Sequence, residues 1–210
     1  MKRIRVLKPF IFVSCLAPLA HLVWKGLAAE LGANPIEVIT RSTGNWTLLF
    51  LLITLSVTPL RKVSGMHWLI QFRRMLGLFA FFYGCLHLLT YVWLDKFFDV
   101  QEMIKDIGKR PFITMGFTAF VLMVPLAITS TRKMIQRLGG KRWNRLHQLI
   151  YLSATAGAIH FYWLVKKDVT RPLIYAGILA ALLGYRGIVR LLPAISGFIA
   201  MRFQRQLPSQ

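Results

Sequence analysis

The sequence feature that most constrains the fold is a series of six apolar stretches, separated by short polar connections. The chain is 56% hydrophobic, with a mean hydropathy of +0.54. An apolar run of about 18 or more residues can cross a bilayer as a helix, in which every backbone group is paired within the segment. We therefore predict an all-α, polytopic membrane protein with one transmembrane domain over residues 1–210. The predicted helices span about 9–24, 46–60, 75–94, 111–129, 146–165 and 172–192.

Charge is distributed unevenly between the connections. The chain has 27 Lys and Arg residues and seven Asp and Glu residues, a net charge of +20. The N-terminus, the second and fourth connections and the C-terminus contain basic residues and no acidic ones. The positive-inside rule therefore places both termini in the cytoplasm. The acidic residues all fall on the opposite side, and the segment Asp95–Arg110 is predicted to be amphipathic there. Basic residues scattered over short connections do not indicate nucleic-acid binding.

Three histidines, His87, His147 and His160, lie within the apolar stretches. An ionisable side chain is costly in a membrane span, so each of these histidines is a candidate functional residue. Neutral imidazole is a common axial ligand of haem iron. His87 lies 13 residues after Arg74, and His160 lies 15 residues after Arg145. Both are thus roughly 20 Å from the inner boundary. At equal depth the two imidazoles can hold one haem from opposite faces. The alternative is that each is a hydrogen-bonded residue joining helices.

His147 is a further candidate haem ligand, near the inner boundary and about 20 Å from His160 along the helix. A second haem there would need a partner ligand. Arg74 stands 13 residues before His87, where a matching ligand would fall, and arginine is not a usual haem ligand. His67, in the preceding connection, is positioned to approach from the cytoplasmic side. His87 and His160 are therefore the preferred pair of axial ligands.

Cations at the inner ends of the histidine-bearing helices suggest a flavin phosphate site. Such cations are more often an orientation signal in contact with anionic lipid. The residues concerned are Arg73, Arg74, Lys141 and Arg142. No GxGxxG or P-loop motif is present, so another protein is expected to oxidise any nicotinamide donor. Outer residues that could contact a partner, judged by position alone, are Lys96, Lys105, Lys166 and Lys167.

Three segments resemble the MsrQ (formerly YedZ) family of bacterial haem-binding membrane subunits, part of the ferric-reductase-like transmembrane group. They are RRMLGLFAFFYGCLHLLTYVWLD, KRPFITMGFTAFVLMVPLAITS and GKRWNRLHQLIYLSATAGAIHFYWLVK. Shorter motifs extend the likeness over about residues 20–185. The resemblance implies b-type haem, one or two per chain, and FMN. It places the family's histidines on His87, His147 and His160, and it identifies no FMN-binding residues.

The resemblance also implies a partner, the periplasmic molybdopterin subunit MsrP, which reduces methionine sulfoxide in oxidised periplasmic proteins. The chain is then an inner-membrane electron-transfer subunit, supplied by the quinone pool or a cytosolic flavin reductase, and the sulfoxide chemistry belongs to the partner. One alternative is a stand-alone transmembrane ferric reductase. Another is a small transporter with a histidine proton relay. Haem content separates the transporter from both redox functions, and partner dependence separates those two.

Overall fold

The structure, a computed structural model, describes residues 2–204, and the side chains of residues 6–189 and of Leu191. These residues form helices and no strand, which confirms the all-α prediction. The helices are α1 (Lys2–Leu27), α2 (Pro35–Ser64), α3 (Ile70–Leu89), α4 (Val100–Lys109), α5 (Pro111–Ile128), α6 (Arg132–Leu138), α7 (Gly140–Leu146), α8 (Leu149–Leu164) and α9 (Thr170–Gln204). A 3₁₀ turn, His67–Leu69, precedes α3, and a π-helical turn, Thr90–Asp95, follows it.

Five stretches within the described part of the chain are long and apolar enough to cross a membrane. They are Val6–Leu27, Pro35–Ser64, His67–Asp95, Pro111–Ile128 and Thr170–Val189. The remaining predicted span, 146–165, corresponds to α8, which has 16 residues. At 1.5 Å per residue it is about 24 Å long, somewhat less than the roughly 30 Å hydrocarbon core. The chain is a polytopic membrane protein, and its six-span count remains a prediction.

Several predicted helix boundaries were wrong, most clearly the start of α2 at residue 46. The helix begins at Pro35, which occupies its first turn, and the Asn34 side chain caps it by accepting a hydrogen bond from the Glu37 backbone N–H at 3.2 Å. Asparagine before a proline is a favourable helix start, even among polar residues. Hydropathy located the apolar part of the helix and missed its polar first turns. The helices α1 and α9 likewise extend beyond their predicted ends.

Two helix pairs form the centre of the bundle. The most extensive packing is between α2 and α3 and between α5 and α8, while α9 lies against α8 and α2. Their shared core includes the fully buried Leu55, Ala80 and Ala154. Ser153 of α8, also fully buried, donates a hydrogen bond to the Ala119 carbonyl of α5 at 2.8 Å. Small residues and such hydrogen bonds let membrane helices approach closely.

Tyr83 of α3 joins α1 to this centre through two hydrogen bonds to the α1 backbone. Its hydroxyl donates to the Cys15 carbonyl at 2.9 Å and accepts from the Leu19 N–H at 3.2 Å. In an uninterrupted helix those two backbone groups pair with each other. Pro18 lies between them and supplies no N–H, which weakens the helix at this turn. The buried tyrosine thus satisfies the backbone that the proline disturbs.

The connections on both sides of the bundle contain short helices. The predicted amphipathic segment contains α4, which is capped by Asp99 through the Glu102 N–H at 3.0 Å. The basic connection between α5 and α8 contains α6 and α7, which meet at Gly139. Gly139 has φ of 73°, a conformation that favours glycine.

Candidate functional site

His87, on α3, lies against the neighbouring helix α2. Its Nδ1 is 3.0 Å from the carbonyl oxygen of Thr40 and 3.5 Å from the hydroxyl of Thr43. A carbonyl only accepts hydrogen bonds, so the neutral imidazole donates from Nδ1–H and keeps Nε2 as its unprotonated nitrogen. One turn after Thr40, a Cβ on Gly44 would lie 2.9 Å from the imidazole Cε1 and 3.0 Å from Nδ1. The ring therefore occupies a groove, the Gly44 groove, that exists because residue 44 has no side chain.

His160, on α8, lies against α5 in the same manner. Its Nδ1 is 2.6 Å from the carbonyl oxygen of Phe112, so this imidazole too is protonated at Nδ1 and has Nε2 as its available nitrogen. A Cβ on Gly116 would lie 2.8 Å from Nδ1 and 2.9 Å from Cε1. In this Gly116 groove, as in the Gly44 groove, a carbonyl is followed four residues later by a glycine. Each closely packed helix pair thus provides one histidine and the groove that holds it.

The two imidazoles meet in the bundle, in agreement with their equal predicted depth. Their ring centres are 6.1 Å apart, and the ring planes are inclined at 67°. Metal–imidazole bonds are about 2 Å long at zinc, so two imidazoles on opposite sides of one metal ion have ring centres roughly 6 Å apart. The second nitrogen of a metal-binding histidine commonly donates to a carbonyl, which fixes the tautomer. The geometry therefore fits a pair of axial ligands, His87 and His160.

A bare metal ion would find too few ligands at this pair. The described residues contain no group of three or more His, Cys, Asp or Glu side chains able to hold a metal ion. Haem brings four ring nitrogens of its own and needs only axial ligands from the protein. Two neighbouring imidazoles in an apolar bundle are thus better matched to haem than to a metal ion that the protein alone would have to hold.

Sequence reasoning predicted the histidines and missed the two glycines that hold them. Gly116 interrupts an apolar helix, and this was the available signal, because a glycine in a membrane helix often marks a close approach. Gly44 lies in the polar first turns of α2, outside the predicted helix, and gave no such signal. The partner that approaches belongs to another helix, which a single sequence does not reveal. Arg186 was also missed, although it is a charged residue within a candidate span. Its guanidinium donates to the Leu55 and Leu182 carbonyls and lies 5.4 Å from the Tyr151 ring centre.

His147 is not part of this pair. It lies in the turn between α7 and α8, and its Nε2 is 3.1 Å from the Thr129 hydroxyl. That hydroxyl also donates to the Pro125 carbonyl at 2.6 Å, so it must accept the proton of His147 Nε2–H. Trp143 stacks on the imidazole at 3.8 Å and donates from Nε1 to the Thr129 carbonyl. Nδ1 is therefore the unprotonated nitrogen of neutral His147, the reverse of the arrangement at His87 and His160.

The other predicted residues differ in exposure. His67 is exposed in its 3₁₀ turn. Of the cations considered for a flavin phosphate, Arg73 is half-buried and the other three are exposed; these are Arg74, Lys141 and Arg142. Three of the four outer lysines considered for a partner are exposed; they are Lys105, Lys166 and Lys167.

Lys96 was predicted as a possible contact for a partner, and that prediction is corrected by its burial. Its ammonium group is 2.8 Å from the Asp106 carboxylate and 2.7 Å from that of Glu102. Hydrogen bonds to Asp106 and then Glu102 raise the pKa of Lys96 above its usual range. The hydrogen bond from Lys96 is the main cause of a lowered pKa of Asp106, aided by the charge of Arg110. Lys96 is thus a charged structural residue that fixes α4.

Comparison with known proteins agrees with this architecture. Residues 42–158 match the model of the ferric reductase like transmembrane component family. That match contains His87 and His147 and ends two residues before His160.

Curated relatives match over most of the chain. A protein of Herminiimonas arsenicoxydans is 55% identical over 183 residues, which cover 86% of this chain and 84% of the relative. Proteins of Azospira oryzae and Ralstonia nicotianae are 53% and 51% identical, covering 90% and 88% of this chain and 82% and 86% of the relatives. All three are named protein-methionine-sulfoxide reductase heme-binding subunit MsrQ. The chain therefore belongs to the MsrQ family of the ferric-reductase-like transmembrane group.

Proposed function

We propose that this chain is a haem-containing electron-transfer subunit of a methionine sulfoxide reductase system. The observation that carries the proposal is the neighbouring pair His87 and His160, with ring centres 6.1 Å apart and each Nδ1 paired with a carbonyl. The names of its relatives, which describe haem binding and methionine sulfoxide reduction, support the same function. In this proposal residues 1–210 form one ferric-reductase-like domain in the bacterial inner membrane, with both termini in the cytoplasm.

The residues of the pair would act by holding and orienting two neutral imidazoles. The Thr40 and Phe112 carbonyls fix the ring tautomers, and the two glycine grooves fix the ring positions. A bound b-type haem would supply a centre that accepts and donates single electrons. In a membrane, the apolar helices around the pair would exclude water, and burial of this kind, with hydrogen bonds to the ligands, tunes a haem's reduction potential.

His147 is the third proposed haem residue, with less geometric support. Ligation through Nε2 would require the imidazole to give up its hydrogen bond with Thr129, whereas ligation through Nδ1 would leave that bond intact. Its place beside the basic connection also suits a role at the end of the bundle where electrons are taken up. The chain is accordingly proposed to hold one haem at the His87–His160 pair and at most one more at His147.

The donor and the acceptor are proposed from family resemblance and from charge. Electrons would come from the quinone pool or from a cytosolic flavin reductase, and FMN would bind at the basic end of the bundle. The half-buried Arg73, beside exposed cations, offers charge there for a phosphate. The acceptor would be the periplasmic molybdopterin subunit MsrP, which would carry out the sulfoxide reduction.

The first test is a reduced-minus-oxidised visible spectrum of the detergent-purified protein, with pyridine haemochrome and flavin measured on the same sample. A b-type signal is expected, and its stoichiometry distinguishes one haem from two. His87→Ala and His160→Ala should each abolish the low-spin bis-histidine signal. His21→Ala is the matched control, because His21 is exposed on α1. Full haem retention in either pair variant would refute the ligand assignment.

Two further outcomes separate this function from its alternatives. Absence of haem after expression with ample haem supply would overturn the electron-transfer function and favour a histidine-relay transporter. If haem is present, re-oxidation of the reduced protein is measured with purified MsrP or with chelated ferric iron as acceptor. Re-oxidation by MsrP supports the proposal. Re-oxidation by iron alone would favour a stand-alone ferric reductase.

A further inference from the structure

The turn between α3 and α4 holds two aromatic residues in an unusual backbone conformation. Phe97 and Phe98 have φ of 47° and 62°, in the left-handed region that bulky residues rarely adopt. Backbone hydrogen bonds fix the turn, from the Lys96 N–H to the Tyr91 carbonyl at 3.0 Å and from the Phe98 N–H to the Val92 carbonyl at 2.9 Å. Strained residues persist only where the surrounding structure determines them. The turn therefore presents both phenyl rings outward, 77% and 60% exposed.

The ion pairs of Lys96 determine which side of α4 faces outward. Because Asp106 and Glu102 both reach Lys96, the acidic side of α4 is directed at the protein. Amphipathic helices usually bury their apolar side. Here Val100 and Ile104 remain 60% and 65% exposed. They continue the apolar surface of the two phenylalanines, and we call these four residues the outer apolar patch: Phe97, Phe98, Val100 and Ile104.

We propose that the outer apolar patch docks on lipid, with α4 lying in the interfacial region of the bilayer. Only residues 96–110 separate the candidate spans His67–Asp95 and Pro111–Ile128, so both ends of this segment lie at the membrane surface. Trp93, in the last turn of the preceding span, is 54% exposed and lies only four residues before the patch along the chain. Tryptophan is enriched at this level of membrane proteins.

The charges of the segment agree with an interfacial helix. Lys105 and Lys109 are exposed, and they lie roughly 140° and 180° around the helix from Val100. Interfacial helices bury an apolar side in the acyl boundary and direct lysines towards the headgroups and water. Residues 95–110 contain four acidic and four basic residues, so apolar area rather than net charge would hold the segment in place. This inference does not depend on which side of the membrane α4 occupies, or on haem.

Cysteine accessibility in lipid nanodiscs tests the proposal. Single cysteines are placed in the full chain after Cys15→Ala and Cys85→Ala, and each variant is treated with a water-soluble polyethylene-glycol maleimide and followed by gel shift. The matched pair is Ile104→Cys, in the patch, and Lys105→Cys, which lies outside it about 100° further around α4. Nanodiscs expose both membrane faces, so orientation does not affect the result. Rates are normalised to those of the same variants unfolded in SDS.

Ile104→Cys is expected to react roughly tenfold more slowly than Lys105→Cys, because the reactive thiolate is disfavoured in an apolar environment. Phe98→Cys is expected to be protected in the same way, and Lys109→Cys to react as fast as Lys105→Cys. Since Ile104→Cys leaves the strained turn intact, it tests the proposal even if Phe98→Cys misfolds. Equal rates at positions 104 and 105 would overturn lipid docking and leave the patch as a surface for a soluble protein. Insensitivity of the protection to about 0.5 M salt would support an apolar attachment.

Discussion

Gly116→Ala directly tests the fit between α5 and the proposed haem ligand His160. The added methyl would lie 2.8 Å from Nδ1, 2.9 Å from Cε1 and 3.1 Å from Cγ of the imidazole. Ordinary van der Waals contact begins at 3.4 Å, so the ring would have to retreat by about 0.6 Å. The contact is with a rigid ring whose Nδ1 is held at 2.6 Å by the Phe112 carbonyl. The substitution therefore opposes a hydrogen bond as well as a packing contact.

We expect Gly116→Ala to weaken haem binding. The contact between the added methyl and the His160 ring would cost most when the ring is also held by haem. Without haem, the imidazole can turn away from the new methyl if it gives up its hydrogen bond with the Phe112 carbonyl. With haem bound, Nε2 would be held as well and the ring could not turn. Overpacking by one methyl costs about 1–3 kcal/mol, which corresponds to roughly 5- to 150-fold weaker haem binding. Gly44→Ala is expected to act in the same direction at His87, where the closest approach is 2.9 Å.

The assay is haem retention, measured by pyridine haemochrome after graded dilution of the detergent-purified protein, together with the reduced-minus-oxidised spectrum. The control is Gly184→Ala on α9, where an added Cβ meets no atom within 4 Å. Alanine in place of an unconstrained helical glycine is expected to stabilise the fold by roughly 0.5–1 kcal/mol. If Gly116→Ala retained haem as well as Gly184→Ala at every dilution, the proposed groove would not be what holds the ligand.

Three other substitutions probe separate parts of the structure. Tyr83→Phe should lower the free energy of unfolding by about 1–3 kcal/mol, because two backbone groups of α1 lose their partner; SDS or thermal denaturation measures this, with the exposed Tyr162→Phe as control. His147→Ala should retain the haem of the His87–His160 pair and slow its reduction by a cytosolic-side donor; an unchanged rate would argue against a role for His147. Lys96 holds the pKa of Asp106 below its ordinary 3.8, so the stability contributed by this carboxylate is present above that value and lost as the pH falls through the lower folded-state pKa. Asp106→Asn should remove this acid dependence, as measured by hydrogen exchange of α4 over about pH 2 to 6.

The parts of this fold that were predictable depend on one-dimensional patterns. Apolar runs identified the membrane helices, because the bilayer requires a minimum length of apolar residues. Helical rise brought His87 and His160 to the same depth, and the structure places them together. The true start of α2 was also encoded, in Asn34 and Pro35, although hydropathy alone does not report capping.

The features that could not be predicted depend on contacts between helices, which a single sequence does not show. The Thr40 and Phe112 carbonyls carry no side-chain signature, and any helical carbonyl looks equivalent in a sequence. Nor does sequence show that Lys96 is buried, because a lysine after an apolar span normally suggests an exposed interfacial charge. Its ion pairs are with two carboxylates of α4, six and ten residues further along the chain and beyond the strained turn.

Hydrogen bonding divides the three histidines, which look similar in the sequence, into two chemical classes. His87 and His160 give their Nδ1 protons to carbonyls, which cannot return a proton, so each Nε2 remains available to a ligand in the bundle. His147 gives its Nε2 proton to a hydroxyl already committed to the Pro125 carbonyl. The proposed axial pair is therefore set apart from His147 by more than depth. Each of its two histidines lies against a neighbouring helix that supplies a carbonyl and then, four residues later, a glycine that makes room for the ring.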